Sequence, residues 1–166
     1  MTKPDQTTNV VIAGLGGQGV LKCSDILAAT AFAAGRDVKK AEVHGMSQRG
    51  GSVATDVRFG HTVLSPMVPA GEADFLVVFN ADQIDRNRSV LRPGGVLIGP
   101  DAIDGVPLPS PRSANVALLG VLSTRLGLDR SHWHEAIRAA LPPRHHDANL
   151  QAFKLGRCVA FDGRTM

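Results

Sequence analysis

The sequence predicts an α/β protein: a three-layer, doubly wound, mostly parallel sheet with helices on both faces. Three observations carry the expectation. A short apolar run ends in a glycine cluster that opens a helix, and further strand-like runs alternate with helical periods. The chain has 166 residues, 43% hydrophobic and 20% charged, enough for one domain over 1–166 with its own core.

Residues 1–8 are polar and read as a frayed tail, after which Asn9–Ala13 has the continuous apolar character of a buried parallel strand. Gly14, Gly16 and Gly19 follow as G-x-G-x-x-G. From Val20 the period is helical, with Val20, Cys23 or Ser24, Leu27, Thr30 or Ala31, and Ala34 on one face and Gly35 as the stop. Val38–Val43 is a second strand. Ser52–Phe59 alternates (Val53, Thr55, Val57, Phe59) as a third, placed at a sheet edge. Between them His44–Ser52 is polar, glycine-rich and aperiodic, which marks a loop. Phe75–Phe79 is another buried strand. A helix over Ala81–Leu91, a Pro93-Gly94-Gly95 turn and a strand Val96–Ile98 then form a right-handed parallel crossover. Residues 100–113 are proline-rich and read as an extended surface connection. A helix starts at Asn115 with Val116, Leu119 and Gly120 on a small-residue packing face. His132–Leu141 is a further helix, stopped by Pro142-Pro143, and Asn149–Leu155 another, before a weak strand at Arg157–Phe161.

Composition excludes several chemistries. Two cysteines, Cys23 and Cys158, are too few for an iron–sulfur cluster or a zinc ribbon. No apolar run approaches the roughly 20 residues that span a bilayer, and the first ten residues lack a signal-peptide core, so a cytoplasmic protein with reduced thiols and no membrane partner is expected. A net charge of +3 and a pI of about 9.2 raise a nucleic-acid partner. With six Phe, one Trp, no Tyr and scattered arginines, there is little to stack bases on, and no nucleic acid is expected.

The glycine cluster has three readings. It can hold a dinucleotide pyrophosphate at a helix N-terminus, bind another anion there, or simply let strand and helix pack closely. A dinucleotide site also needs an acid at the end of the second strand; Glu42 is the nearest, and it runs straight into the next glycine-rich loop. In that loop His44, Ser47, Gln48, Arg49 and Ser52 are a dense set of donors beside Gly50-Gly51, suited to a phosphate or carboxylate. Both loops would open at the carboxyl edge of a parallel sheet, where such sheets bind ligands.

Five segments, G-L-G-G-Q-G-V (14–20), E-V-H-G-M-S-Q-R-G-G-S-V (42–53), L-R-P-G-G-V-L-I (91–98), N-V-A-L-L-G (115–120) and N-L-Q-A-F-K-L-G (149–156), occur in order over nearly the whole chain. With them the chain resembles the gamma-type subunits of 2-oxoacid:ferredoxin oxidoreductases. It looks most like the indolepyruvate oxidoreductase beta-subunit branch, with the pyruvate and ketoisovalerate gamma subunits as relatives. The resemblance implies a Rossmann-like fold and oxidative decarboxylation of a 2-oxoacid to an acyl-CoA with ferredoxin as acceptor. It also implies that no cofactor is bound by this chain alone. No G-D-G with a downstream asparagine is present to hold thiamine diphosphate, so thiamine diphosphate, magnesium and the iron–sulfur clusters belong on a larger thiamine-diphosphate-binding partner subunit. Coenzyme A is the co-substrate, ferredoxin is met through the complex, and a dimer of heterodimers is the implied assembly.

By the same resemblance His44, Gln48 and Arg49 are the catalytic candidates. The cofactor-binding candidates are Gly14, Gly16, Gly17, Gln18, Gly19, Ser47, Gly50, Gly51, Ser52 and Asn115, with no metal ligand. The alternative is a free-standing nucleotide- or coenzyme-A-binding regulatory module built on the same glycine turn. Other residues read plainly: Cys23 as a buried inert thiol, His132 and His134 on different faces around Trp133, and His145-His146 as a solvated turn.

Overall fold

The computed structural model describes residues 6–44 and 51–161. Five strands, β1 (Thr8–Leu15), β2 (Asp37–His44), β3 (Ser52–Gly60), β4 (Ala73–Val78) and β5 (Leu91–Ile98), form one sheet in the order β2-β3-β1-β4-β5. β1 begins at Thr8, already buried, so the tail is shorter than expected. The α/β class holds, but the sheet is mixed. β1 pairs in parallel with β4 and β4 with β5, whereas β3 runs antiparallel to both β1 and β2.

β3 is therefore an interior strand and β2 the edge, a correction to the expected edge position of β3. The alternation that suggested one solvated face reflects Val53, Thr55, Val57 and Phe59 turned toward the helices, with Thr55 and Val57 fully buried. β1 from Val10 and β4 from Phe75 are continuously apolar because both their faces are covered there. Val10, Ile12, Phe75 and Val77 face a layer of α1 (Val20–Ala33), α3 (Ala114–Ser123), α4 (Arg130–Ala140) and α5 (His146–Phe161). Val11, Ala13, Leu76 and Val78 face the opposite side. Among the described residues that side carries only α2 (Ile84–Asn87) and the 3-10 turns flanking it, with Ile84, Val90 and Val68 closing over the strands. Helical structure thus lies on both faces, very unequally.

Three local expectations are corrected. The helix over 81–91 is a mixture of 3-10 turns and one α-turn, because the chain must reach β5 at Leu91. Pro93-Gly94-Gly95 is not a turn before the strand but an irregularity inside β5: the register jumps from Ala73 opposite Leu91 to Phe75 opposite Val96. Gly94 takes φ +79°, and a Cβ on Gly95 would lie 2.9 Å from the Ala73 carbonyl oxygen. The 100–113 connection contains two 3-10 turns, Pro100–Ile103 and Pro111–Ser113, that bury Ala102 and Ser113.

At the C-terminus α5 runs unbroken through the stretch read as a strand. Ala152, Phe153, Gly156 and Val159 are buried at helical spacing, and that period outweighs the local β-propensity of the tail. Phe153 stacks tilted against Trp133 of α4, ring centroids 5.5 Å apart, and both are fully buried. α3 and α5 meet backbone to backbone. A Cβ on Gly120 would lie 2.2 Å from the Phe153 carbonyl oxygen, and one on Gly156 would lie 1.9 Å from that of Ala117. The segments N-V-A-L-L-G and N-L-Q-A-F-K-L-G thus end in glycines required by one helix crossing. His146 is less solvated than expected: its Nε2 lies 2.9 Å and 2.8 Å from the carbonyl oxygens of Arg138 and Leu141, at the end of α4.

Candidate functional site

The site begins where β1 ends. Leu15 leads into a turn in which Gly17 (φ +89°) and Gly19 (φ +81°) adopt the left-handed conformation glycine takes without strain. Gln18 closes it from inside: its amide donates to the Leu15 carbonyl oxygen at 3.1 Å, and its Oε1 accepts from the Leu15 amide at 2.7 Å. Gly14 is small for packing, since a Cβ there would stand 3.0 Å from both Gln18 Oε1 and Val20 Cγ2. Gly19 precedes α1 with no side-chain cap on the helix's first amides. Those amides, with the helix dipole, offer a place for negative charge.

Asn115, in the first turn of α3, locks this arrangement from 97 residues away in sequence. Its Nδ2 donates to the Gln18 carbonyl oxygen at 3.1 Å, and its Oδ1 accepts from the Val116 amide at 2.7 Å. A Cβ on Gly19 would fall 2.4 Å from that Nδ2. Asn115 is therefore inside the helix rather than its cap residue, and it positions the glycine turn.

The second loop opens at the same edge. β2 and β1 point the same way because each is antiparallel to β3. His44 consequently sits opposite Val53, and Leu15 opposite Ser52. The Gly16 amide donates to the Gly51 carbonyl oxygen at 2.9 Å, tying the two loops together. Of the sequence candidates, Gly14, Gly16, Gly17, Gln18, Gly19, Gly51, Ser52 and Asn115 are gathered here, and the backbone of His44 ends β2 beside them. Ser47, Gln48, Arg49 and Gly50 lie outside the described residues.

Sequence reading missed several groups. Arg86, on α2, donates to Ser52 Oγ at 3.2 Å and brings a cation to the loop's end. A cavity of about 450 Å³ adjoins Asn115, lined by Lys22, Arg112, His145 and Asn149 among others. Its legible traces are Asn115 and Asn149, each the first residue of a family segment; Lys22 and Arg112 carry no pattern that separates them from other surface cations. Together the α1 N-terminus, Lys22 and Arg112 suit an anionic ligand.

The dinucleotide reading fails on topology. β3 intervenes between β1 and β2, so the end of β2 lies two strand spacings, ~9.6 Å, from β1 rather than one. Glu42 is engaged on the α1-facing side of β2 with Lys40, at 3.2 Å. Nor does the donor set fit an iron–sulfur cluster or the metal of thiamine diphosphate. Burial pushes the fully buried Cys23 thiol far up from its ordinary value, and Cys158 is exposed far along the chain. Among the described residues no group of three or more His, Cys, Asp or Glu is placed to hold a metal, and no helix is long and apolar enough to cross a membrane.

Comparison with known proteins converges on one family. Residues 9–109 match the family described as pyruvate ferredoxin/flavodoxin oxidoreductase. The chain is 32% identical to indolepyruvate oxidoreductase subunit IorB of Pyrococcus horikoshii and 34% identical to that of Thermococcus kodakarensis, in each case over 89% of this chain and 93% of the relative. Among solved structures, the keto/oxoacid ferredoxin oxidoreductase gamma subunit of Geobacter sulfurreducens superposes with a TM-score of 0.79 at 20% identity, covering 93% of this chain and 99% of that one. The 2-oxoglutarate:ferredoxin oxidoreductase of Magnetococcus marinus, solved with 2-oxoglutarate, coenzyme A and succinyl-CoA, superposes with a TM-score of 0.80 at 21% identity over 95% of this chain and 32% of that one. With the matched segment covering more than half of the sequence and relatives similar along nearly their whole length, the chain belongs to the pyruvate ferredoxin/flavodoxin oxidoreductase family.

Proposed function

We propose that this chain is the small, gamma-type subunit of an indolepyruvate-type 2-oxoacid:ferredoxin oxidoreductase. The enzyme cleaves the bond between the carboxylate and the oxo carbon of a 2-oxoacid, releases carbon dioxide and joins the acyl group to the sulfur of coenzyme A. Two electrons pass to ferredoxin and the thiol proton to solvent. Thiamine diphosphate with its magnesium, and the iron–sulfur clusters, are assigned to a larger partner subunit, and the cell interior to the complex. The observation that carries the reading is the end-to-end similarity to indolepyruvate oxidoreductase small subunits.

This chain's own part in the reaction is to bind and orient. The uncapped start of α1, beside Gly16–Gly19, receives a phosphate of coenzyme A, with Lys22 and Arg112 nearby. The loop from His44 to Ser52 faces the shared active site, where Arg49 pairs with an oxyanion of substrate or coenzyme A and His44 or Gln48 donates hydrogen bonds. The bond from the Gly16 amide to the Gly51 carbonyl oxygen makes the phosphate turn and that loop neighbours, so one ligand can touch both.

The test is reconstitution with a thiamine-dependent partner and assay over a panel of 2-oxoacids with a viologen acceptor. The expected result is coenzyme-A-dependent acceptor reduction only when both chains are present, greatest with an arylpyruvate. Acceptor reduction unaffected by omitting this chain, or reduction by this chain alone, would overturn the proposal.

A further inference from the structure

A groove of about 510 Å³ separates α4 from α5 and shares no lining residue with the cavity at Asn115. It exists because α5 packs tightly on α3 and only loosely on α4. Arg130 and Arg138 line it from α4, Lys154 and Arg157 from α5, and Asp147 is its one acid. None of the four cations makes an ion pair among the described residues. Arg157 donates through Nη1 to Ser123 Oγ at 2.8 Å, while its Nε is buried with no hydrogen-bond partner.

Four like charges gathered around a recess repel one another and concentrate positive potential there. The groups inside register it. His134 is held below its ordinary value by burial and by Arg138, Arg130 and Arg157; Arg157 is lowered by burial and by Arg130. Behind the cations the groove has an apolar wall at Leu150, backed by the fully buried Phe153. Its volume lies within the roughly 300–1,000 Å³ of small-molecule sites. Guanidinium groups pair with phosphate in a planar fork.

We propose that the α4–α5 groove binds a phosphorylated small molecule, its phosphates on Arg130, Lys154 and Arg157 and its apolar part against Leu150. The site is separate from the coenzyme A contacts assigned above and does not depend on them. A recess with an apolar wall fits a compact ligand better than the flat surface of an acidic protein.

The test is calorimetric titration of the full-length chain with ATP as probe at low salt. Saturable one-site binding is expected, weakened about tenfold or more in both Arg130→Gln and Arg157→Gln, the loss of one charge-assisted contact, and unchanged in Arg88→Gln, a cation outside the groove. Arg130→Gln keeps the measurement decisive should loss of the Ser123 contact unfold the Arg157 variant. Pyrophosphate should bind more weakly than ATP. A flat titration overturns the proposal, as does equal weakening in Arg88→Gln, which would signal general charge attraction. Sensitivity to Lys22→Gln instead of Arg157→Gln would move the ligand to the glycine turn. Displacement of ATP by an oligoglutamate peptide at lower concentration than pyrophosphate would assign the groove to an acidic protein surface.

Discussion

Replacing Gly156 by alanine adds one methyl group where α5 crosses α3. The new Cβ would stand 1.9 Å from the Ala117 carbonyl oxygen and 2.8 Å from its carbon, both rigid backbone atoms. Relief requires the two helices to part by about 1 Å, and a gap of that size forfeits a quarter to a half of each van der Waals contact along the interface. Overpacking of this kind costs about 1–3 kcal/mol, while alanine's better helix propensity returns about 1 kcal/mol at most. Because the clash is with rigid backbone the upper part of that range applies, and the net loss, ~1–2 kcal/mol, corresponds to a fall in Tm of about 2–8 °C for a chain of this size. Circular dichroism should show the helical signal intact at 20 °C and the transition moved down. Adding Gly120→Ala should cost less than its own single-variant effect, because the first methyl has already separated the helices. A Gly156→Ala protein with an unchanged or higher Tm would refute the close crossing, since propensity alone would then decide the outcome.

Asn115→Ala strips the Gln18 carbonyl and the Val116 amide of their partner; a loss of ~1–3 kcal/mol by urea titration is expected, with a raised KM for coenzyme A in the reconstituted enzyme. Unchanged values of both would show that the turn stands without it. Arg49→Ala should lower kcat/KM about 10- to 100-fold, as removal of a charge-assisted contact does; unaltered kinetics would remove Arg49 from the site. Asp129 caps α4 through the Ser131 hydroxyl and amide, which hold its carboxyl below the ordinary range. A depressed carboxylate stabilises the fold above its unfolded pKa, and that stability is lost as pH falls through the folded value. Asp129→Ala should therefore lower Tm at neutral pH, with the gap to the parent closing below about pH 4. Asp56 behaves oppositely: burial raises its carboxyl despite the Val68 amide and Arg58. Its ionisation costs folded-state stability as pH rises past the unfolded value, so Asp56→Asn, which still offers Val68 an acceptor, should raise Tm at neutral pH and match the parent in acid. Calorimetry between pH 3 and 8 reads both signs.

Much of the local structure was legible. The glycine turn, α1 and the buried strands β1 and β4 follow from period and composition because each is dictated by its own residues and the burial of one or both faces. The site was legible to the extent that two glycine-rich loops suggested a shared edge. Successive strands of a parallel sheet account for that edge only in part: β2 reaches it across an antiparallel β3. Arg86, Lys22 and Arg112 were invisible because a surface cation carries no period; only its neighbour gives it meaning. The misread strand at 157–161 shows the reverse case. Local β-propensity there yields to a helix whose glycine, Gly156, fits against a residue 39 positions earlier.

The α/β class, the glycine turn and its helix, and the family segments are set by which residues stand near one another along the chain, and the shortage of cysteines for a cluster by composition alone. It takes the folded molecule to put β3 between β2 and β1, to lock the glycine turn with Asn115, to bring Gly120 and Gly156 to one crossing, and to gather four cations between α4 and α5. The physical reason is common to all four. Hydrophobic period tells which face of an element is buried, whereas strand pairing runs through backbone groups that are nearly the same in every residue. Contacts between distant residues are therefore set by how whole faces fit together.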